Sequence, residues 1–86
     1  MSAPPVVMYT TGWCLYCARA RQLLAAKNVS FEEFNVEELP EKRAEMQARS
    51  GRRSVPQIFI GDQHVGGCDD LHALEDAGKL DSLLGR

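Results

Sequence analysis

Two of the three cysteines in this 86-residue sequence, Cys14 and Cys17, are separated by two residues. A thiolate is both a nucleophile and a metal ligand, and a Cys-x-x-Cys pair can also close into a disulfide. Because three is an odd number, the cysteines cannot all pair in a disulfide framework within one chain. The spacing therefore predicts a reactive or metal-binding pair and favours thiol–disulfide exchange.

The two cysteines are expected to differ in reactivity. Cys14 follows a short apolar strand predicted over residues 6–9 and begins a helix predicted over residues 14–27. The partial positive charge at a helix N-terminus can lower a thiol pKa from ~8.5 to between ~3.5 and ~7.5, so Cys14 is the predicted nucleophile. Cys17 lies one turn further on the apolar face, where it should stay a buried thiol until it resolves a mixed disulfide on Cys14.

Two other interpretations of the pair remain open at this point. Both cysteines could be small buried apolar residues, although the first residue of a helix is seldom fully enclosed. A structural zinc site would need two further ligands, and the chain has no second Cys-x-x-Cys. Cys68 with His64 or His72 would complete such a site only by lying close to Cys14. The residues favour redox chemistry over zinc.

The elements that position the pair follow from the apolar pattern and from the turn residues between apolar runs. The order β-α-β-α-β-β-α predicts a right-handed parallel β-α-β unit followed by an antiparallel hairpin. The expected fold class is α/β, with a four-stranded mixed sheet and helices on both faces. The predicted strands are 6–9, 31–36, 55–60 and 63–65. The predicted helices are 14–27, 40–49, a third that starts at 69–70 and is marked by apolar residues up to 77, and a short one at 80–84.

Composition limits the possible functions. The chain is 44% hydrophobic and 26% charged, which is ordinary for one globular domain over residues 1–86, with residues 1–5 expected to be flexible. A net charge of −2 gives no general attraction to nucleic acid. No apolar stretch approaches the ~20 residues of a membrane span, and the N-terminus lacks the features of a signal peptide. We therefore expect a cytoplasmic protein whose thiols are kept reduced.

Three separated motifs give the chain a family resemblance. Over roughly residues 6–84 it resembles the dithiol (class I) glutaredoxins of bacterial type, with Leu15 where most dithiol members have proline. This resemblance implies the thioredoxin-like (glutaredoxin) fold. The motifs are Cys14-Leu15-Tyr16-Cys17, Ser54-Val55-Pro56-Gln57 and Gly66-Gly67-Cys68-Asp69-Asp70-Leu71.

The resemblance also implies an activity and its partners. Cys14 would attack protein–glutathione mixed disulfides, and free glutathione would then release the bound glutathione from it. For protein disulfides, Cys17 would resolve the mixed disulfide. The implied partners are glutathione, glutathionylated or disulfide-containing proteins, and the glutathione reductase system as electron source. The protein would be a monomer that binds neither nucleic acid nor membrane.

A glutathione site is implied by the same motifs. Pro56 is expected to follow a cis peptide bond, leaving the backbone of Val55 free to pair with glutathione. The γ-glutamyl end would bind at the start of the third helix. Without the family, Pro56 would merely begin an edge strand, the aspartates would cap a helix, and Cys68 would be a small buried residue or a spare thiol. The implied glutathione-binding residues are Tyr16, Arg43, Ser54, Val55, Pro56, Gly67, Cys68, Asp69 and Asp70.

Two departures from the family pattern affect this expectation. Thr11 stands where relatives often carry a basic residue for the glycyl carboxylate, which leaves Arg43, Arg52 and Arg53 as candidates or as solvated surface residues. Leu15 should loosen the first helical turn. Members without this proline include dimers that hold a [2Fe–2S] cluster through the nucleophilic cysteine and two glutathiones. A cluster carrier or sensor using Cys14 is therefore the alternative function, and a thioredoxin-like reductase served by a flavoenzyme is a third.

Overall fold

The computed structural model describes residues 4–86, and the predicted order of elements is confirmed. The third strand begins two residues later than expected, because Pro56 has no N–H with which to join the sheet. None of the helices within this range has both the length and the apolar composition that a bilayer crossing requires. The elements are β1 Val6–Thr10, α1 Leu15–Ala26, β2 Glu32–Asn35, α2 Pro40–Ser50, β3 Gln57–Ile60, β4 Gln63–Gly66, α3 Cys68–Asp76 and α4 Leu80–Leu83.

The four strands form one mixed sheet in the order β2-β1-β3-β4. β1 and β2 are parallel and are connected through α1, whereas β1–β3 and β3–β4 are antiparallel. The register shifts between Ile58, which pairs with Gly66, and Phe59, which pairs with His64. Val65 is thus the extra residue of a β-bulge, a feature that redirects a strand near its end.

Each face of the sheet has its own core, because alternate residues of a strand point to opposite faces. Val6 and Met8 of β1 pack toward α1, α3 and α4, in a cluster that includes Leu24 and Leu71. Tyr9 faces the other way. It belongs to the smaller cluster under α2, which also contains Val36, Met46 and Phe59. The expectation of helices on both faces is confirmed.

Helix α1, which contains Cys17 and follows Cys14, is anchored to β2 by an ion pair. Arg21 Nη2 lies 2.8 Å from Glu33 Oε2, and Arg21 Nε donates to both oxygens of the same carboxylate. The Thr10 hydroxyl donates to Glu33 Oε2 at 2.8 Å. After α1 the chain turns at Asn28, which has a left-handed conformation (φ 57°).

The N-terminal segment that was expected to be flexible falls partly outside the described residues, since positions 1–3 lie before them. At its end, the carbonyl oxygen of Pro5 accepts a hydrogen bond of 2.8 Å from the N–H of Gly61. This bond ties the start of β1 to the β3–β4 turn.

Candidate active site

Cys14 caps the N-terminus of α1. Its backbone is extended (φ −102°, ψ 116°), and its Sγ accepts a hydrogen bond of 3.3 Å from the N–H of Cys17. The sulfur thus occupies the position where a serine or aspartate oxygen usually caps a helix. The first turn of α1 contains no acidic side chain. A negative charge on Sγ therefore meets an N–H donor and the positive end of the helix dipole, an arrangement that suits a nucleophile.

The surroundings of Cys14 are open on one side and closed on the other. Trp13 is 99% exposed, Leu15 67% and Tyr16 54%, so apolar side chains project into solvent around the sulfur. On the closed side, the Cys14 thiol lies 3.8 Å from the carbonyl oxygen of Val55, to which it can donate while protonated. Cys14 is accessible from the side on which a substrate would approach.

Cys17 has the buried position expected for it. Its side chain is fully enclosed, and burial, reinforced by the neighbouring Cys14 sulfur, raises the pKa of Cys17 to about 12. Cys17 is therefore a thiol at neutral pH. Once the Cys14 sulfur is bonded in a mixed disulfide it carries no charge, so its contribution to the raised pKa is removed.

A cleft of about 170 Å³ is lined by Val55, whose carbonyl oxygen contacts the Cys14 sulfur. Three segments form it: the first turn of α1, the loop before β3 and the start of α3. Every residue predicted to bind glutathione lines this cleft except Arg43, which is half-buried on α2. The lining residues are Tyr16, Arg52, Ser54, Val55, Pro56, Gln57, Gly67, Cys68, Asp69 and Asp70.

The start of α3 lies close to the proline loop, and one of the two glycines before it has a backbone conformation that favours glycine. The bond between Val55 and Pro56 is cis, as expected. A Cβ added to Gly67 would lie 3.5 Å from the carbonyl oxygen of Pro56. Gly66 has φ +115°, and a Cβ there would collide with the carboxylate of Asp70. Glycine is required at position 66 by both its backbone conformation and this contact.

Charged groups of both signs lie on the cleft. Asp70 Oδ2 accepts a hydrogen bond of 2.9 Å from the N–H of Gly67. This is one of the two hydrogen bonds that make up a capping box, here at the start of α3. The same oxygen lies 3.4 Å from Arg52 Nη1, and both side chains are about half exposed. Asp69 is exposed next to this pair. The arrangement offers carboxylates for an ammonium group and a guanidinium for a carboxylate.

Cys68 is not arranged as a reactive thiol. It is 4% exposed although it contributes to the cleft, and burial and Asp69 raise its pKa. This favours the interpretation of Cys68 as a small buried residue. Within residues 4–86 no three or more His, Cys, Asp or Glu side chains are grouped so that they could hold a metal ion.

Sequence reasoning assigned no role to Gln57 and left Arg52 as one of several candidate arginines. Gln57 is 1% exposed and hydrogen-bonds to Ser54 and to His64. The sequence does distinguish Gln57, because it is the one polar residue in an otherwise apolar run before the β3–β4 turn. For Arg52 the sequence carried no such signal, because its partner Asp70 is eighteen residues away.

The family model, the relatives and the solved structures that match this chain agree with one another. The glutaredoxin family model matches residues 6–65. A glutaredoxin of Pseudomonas aeruginosa is 63% identical over 81 residues, covering 94% of this chain and 96% of that protein. The solution structure of glutaredoxin from Brucella melitensis has 62% identity and a TM-score of 0.85, covering 98% of this chain and 91% of the other.

A more distant structure is informative about ligands. The crystal structure of a buckwheat glutaredoxin–glutathione complex is 28% identical, with a TM-score of 0.87 over 95% of this chain and 77% of the other. The family model and the close relatives each cover more than two thirds of the chain. The chain therefore belongs to the glutaredoxin family, with the thioredoxin-like fold and the thiol oxidoreductase role of that family.

Proposed function

We propose that this protein is a dithiol, glutathione-dependent oxidoreductase that reduces protein–glutathione mixed disulfides and protein disulfides. The observation that carries the proposal is the position of Cys14. Its sulfur caps α1 and contacts the carbonyl oxygen of Val55, a residue that lines a polar cleft. Cys17 lies one turn away as a buried thiol, which fits a resolving role.

Glutathione is the proposed occupant of the cleft. The buckwheat relative forms a complex with glutathione, and we extend that ligand to this chain. Within residues 4–86 the Val55 N–H has no hydrogen-bond partner, so it is free to pair with the cysteinyl part of an extended tripeptide. Asp69 and Asp70 suit the γ-glutamyl ammonium, and the N–H groups at the start of α3 suit its carboxylate. Arg43, Arg52 and Arg53 remain the candidates for the glycyl carboxylate, and of these Arg52 lines the cleft.

The proposed reaction balances as two thiol–disulfide exchanges. The Cys14 thiolate attacks the glutathionyl sulfur, and the substrate protein leaves as a thiolate that takes a proton from water. A second glutathione thiolate then attacks the glutathionyl sulfur on Cys14, which regenerates the Cys14 thiolate and releases oxidised glutathione. The two electrons come from glutathione and are replenished by glutathione reductase. With a protein disulfide, the Cys17 thiolate attacks the Cys14 sulfur instead, which releases the reduced substrate and forms a Cys14–Cys17 disulfide. Two glutathiones then reduce this disulfide and leave as oxidised glutathione.

The cellular setting belongs to the same proposal. We expect the protein to act in the cytoplasm, where glutathione is abundant and reduced. We also expect a monomer that uses neither nucleic acid nor membrane as a partner. Its protein partners would be glutathionylated or disulfide-containing substrates and the glutathione reductase system.

A coupled assay tests this function. Purified protein is supplied with a glutathionylated peptide, glutathione, glutathione reductase and NADPH, and NADPH oxidation is followed. The wild type should turn over, and Cys14→Ser should fall to the rate without enzyme because no other thiol is both accessible and placed on the cleft. Turnover by Cys14→Ser would contradict the assignment of the nucleophile. Reduction of protein disulfides with a flavoenzyme alone would favour a thioredoxin-like role instead.

A glutathione-ligated [2Fe–2S] dimer is the second candidate, and one observation favours it. Exposed apolar Trp13 and Leu15 flank the accessible sulfur of Cys14, which would suit contact with a second copy. Since Cys17 and Cys68 are buried, one chain offers a single accessible thiolate, so four thiolate ligands would require two chains and two glutathiones. Anaerobic addition of iron, sulfide and glutathione should distinguish the two. A brown dimer would support the cluster, and a colourless monomer would contradict it.

A further inference from the structure

A pair of hydrogen-bonded side chains lies behind the proline loop. The amide Nε2 of Gln57 donates to the carbonyl oxygen of Ser54 at 3.0 Å and lies 3.2 Å from its hydroxyl oxygen. This fixes the orientation of the amide, so Gln57 Oε1 must act as an acceptor. His64 Nε2 lies 2.7 Å from that oxygen, so its Nε2 must be protonated and donate to Gln57 Oε1.

His64 is itself held in place by the sheet. It lies opposite Phe59 across the bulge, and its ring stacks on that of Phe59 at 4.9 Å between centroids. Arg49 lies 4.0 Å from the centre of the Phe59 ring. Burial lowers the pKa of His64, and the charges of Arg52 and Arg49 act in the same direction, opposed by Asp70. The imidazole is therefore neutral at physiological pH and acts as a fixed donor.

The other end of the pair reaches the cleft. Among residues 4–86, the Gln57 side chain is the one hydrogen-bond partner of the Ser54 carbonyl oxygen. Ser54 is followed directly by Val55, whose carbonyl oxygen contacts the sulfur of Cys14. Without Gln57, no other side chain would fix the backbone just before Val55.

We propose that Gln57 and His64 are positioning residues that hold the Ser54–Val55 backbone in the conformation that receives glutathione. His64 orients the amide of Gln57, and Gln57 orients the backbone. Neither residue takes part in bond making. The inference rests on the proposed function, because its readout is the reaction of a glutathionylated substrate.

Single-turnover kinetics provide the test. The reduced enzyme is mixed either with a glutathionylated peptide, which needs the cleft, or with iodoacetamide, which needs only the Cys14 thiolate and is followed by mass spectrometry at that residue. His64→Phe keeps a ring to stack on Phe59 but has no N–H donor. We expect its rate with the peptide to fall about tenfold, because a buried acceptor loses its donor. Its rate with iodoacetamide should stay within about twofold, because the cap on the Cys14 sulfur is unchanged.

Four further variants distinguish positioning from general destabilisation. His64→Gln restores an N–H donor and should recover part of the peptide rate. Gln57→Leu should lower the peptide rate at least as much as His64→Phe, and the double variant should fall no further, because both act through one hydrogen-bonded chain. His72→Phe is the matched control, since its imidazole lies on α3 and its Nε2 has no hydrogen-bond partner within residues 4–86.

The outcomes separate this inference from the proposed function. A wild type that fails to react with the glutathionylated peptide contradicts the function itself. A reactive wild type together with an unchanged peptide rate in His64→Phe contradicts the positioning role. So does an equal loss in the peptide and iodoacetamide rates, or a double variant whose loss is the product of the two single losses.

Discussion

The two sides of the cleft are built in different ways. The nucleophile side, residues 13–17, is one continuous segment at the start of α1. The recognition side consists of residues 52–57 and 66–70, which are separated in sequence and meet only because β3 pairs with β4. On the first side a single helical turn sets the chemistry. On the second, tertiary structure must be correct before there is a site at all.

The two sides of the cleft should also differ in how strongly they depend on the rest of the fold. The cap on Cys14 depends on one local hydrogen bond and on the helix dipole, so it should survive changes elsewhere in the fold. The recognition side depends on a bulge, on the glycine at position 66 and on an ion pair that connects its two segments. We therefore expect thiol reactivity and substrate recognition to be separable by mutation.

After Cys14→Ser, the variant Cys17→Ser should have the largest effect within the nucleophile side. Reduction of a protein disulfide should fall to background, because the mixed disulfide on Cys14 has no resolving thiol. Reduction of a glutathionylated peptide should continue, because glutathione itself resolves that intermediate. Both activities are measured in the NADPH-coupled assay with the two substrates in turn. If protein disulfides were still reduced at the wild-type rate, Cys17 would not be the resolving residue.

Gly66→Ala is the corresponding test of the recognition side. The substitution forces a side chain into φ +115° and against the Asp70 carboxylate, so we expect a loss of about 1–3 kcal/mol in the free energy of unfolding. The rate with a glutathionylated peptide should also fall, whereas alkylation of Cys14 by iodoacetamide should not.

Gly78→Ala is the matched control for this variant. Gly78 also has a positive φ, +72°, but an added Cβ there would meet no atom within 4 Å. It should lose stability through backbone strain alone and keep its peptide rate. A peptide rate that falls equally in both variants would mean that the contact between Gly66 and Asp70 does not shape the cleft.

The same contrast explains what the sequence could predict. The order of elements and the unequal burial of Cys14 and Cys17 follow from local apolar patterns and from helix ends, and the structure agrees with them. The family motifs also marked most of the cleft lining, although Arg43 lies outside it. By contrast, Arg52 and the Gln57–His64 pair depend on the register between distant segments and on the one-residue bulge at Val65. No local pattern encodes that register.

Asp70→Asn tests which aspartate of the recognition side binds the γ-glutamyl ammonium. Its expected effect is smaller than that of Gly66→Ala. The amide oxygen can still accept from the N–H of Gly67, so the free energy of unfolding should change little. The negative charge is lost, and the rate with a glutathionylated peptide should fall about threefold to tenfold if Asp70 binds the γ-glutamyl ammonium. Asp69→Asn, made in parallel, assigns the role. A larger loss in Asp69→Asn would transfer the ammonium contact to Asp69.

Glu33→Gln is expected to affect stability alone, because Glu33 anchors α1 without lining the cleft. The hydrogen bonds from Arg21 and then from the Thr10 hydroxyl hold the pKa of Glu33 below its ordinary value. A lowered pKa in the folded state gives stability that is present above the unfolded pKa of about 4.3 and is lost as pH falls through the folded value. The variant should therefore lose about 0.5–1 kcal/mol in urea unfolding at pH 7, and this difference from the wild type should shrink toward pH 2.

Glu32→Gln is the control for this last prediction, since Glu32 is the exposed neighbour of Glu33 and has no ion pair within residues 4–86. Its unfolding free energy should match that of the wild type at both pH values. The peptide rate of Glu33→Gln at pH 7 should stay within about twofold of the wild type, because the N-cap of Cys14 is one local hydrogen bond and does not depend on the anchor of α1. A fall of tenfold would mean that the nucleophile side is not locally determined after all.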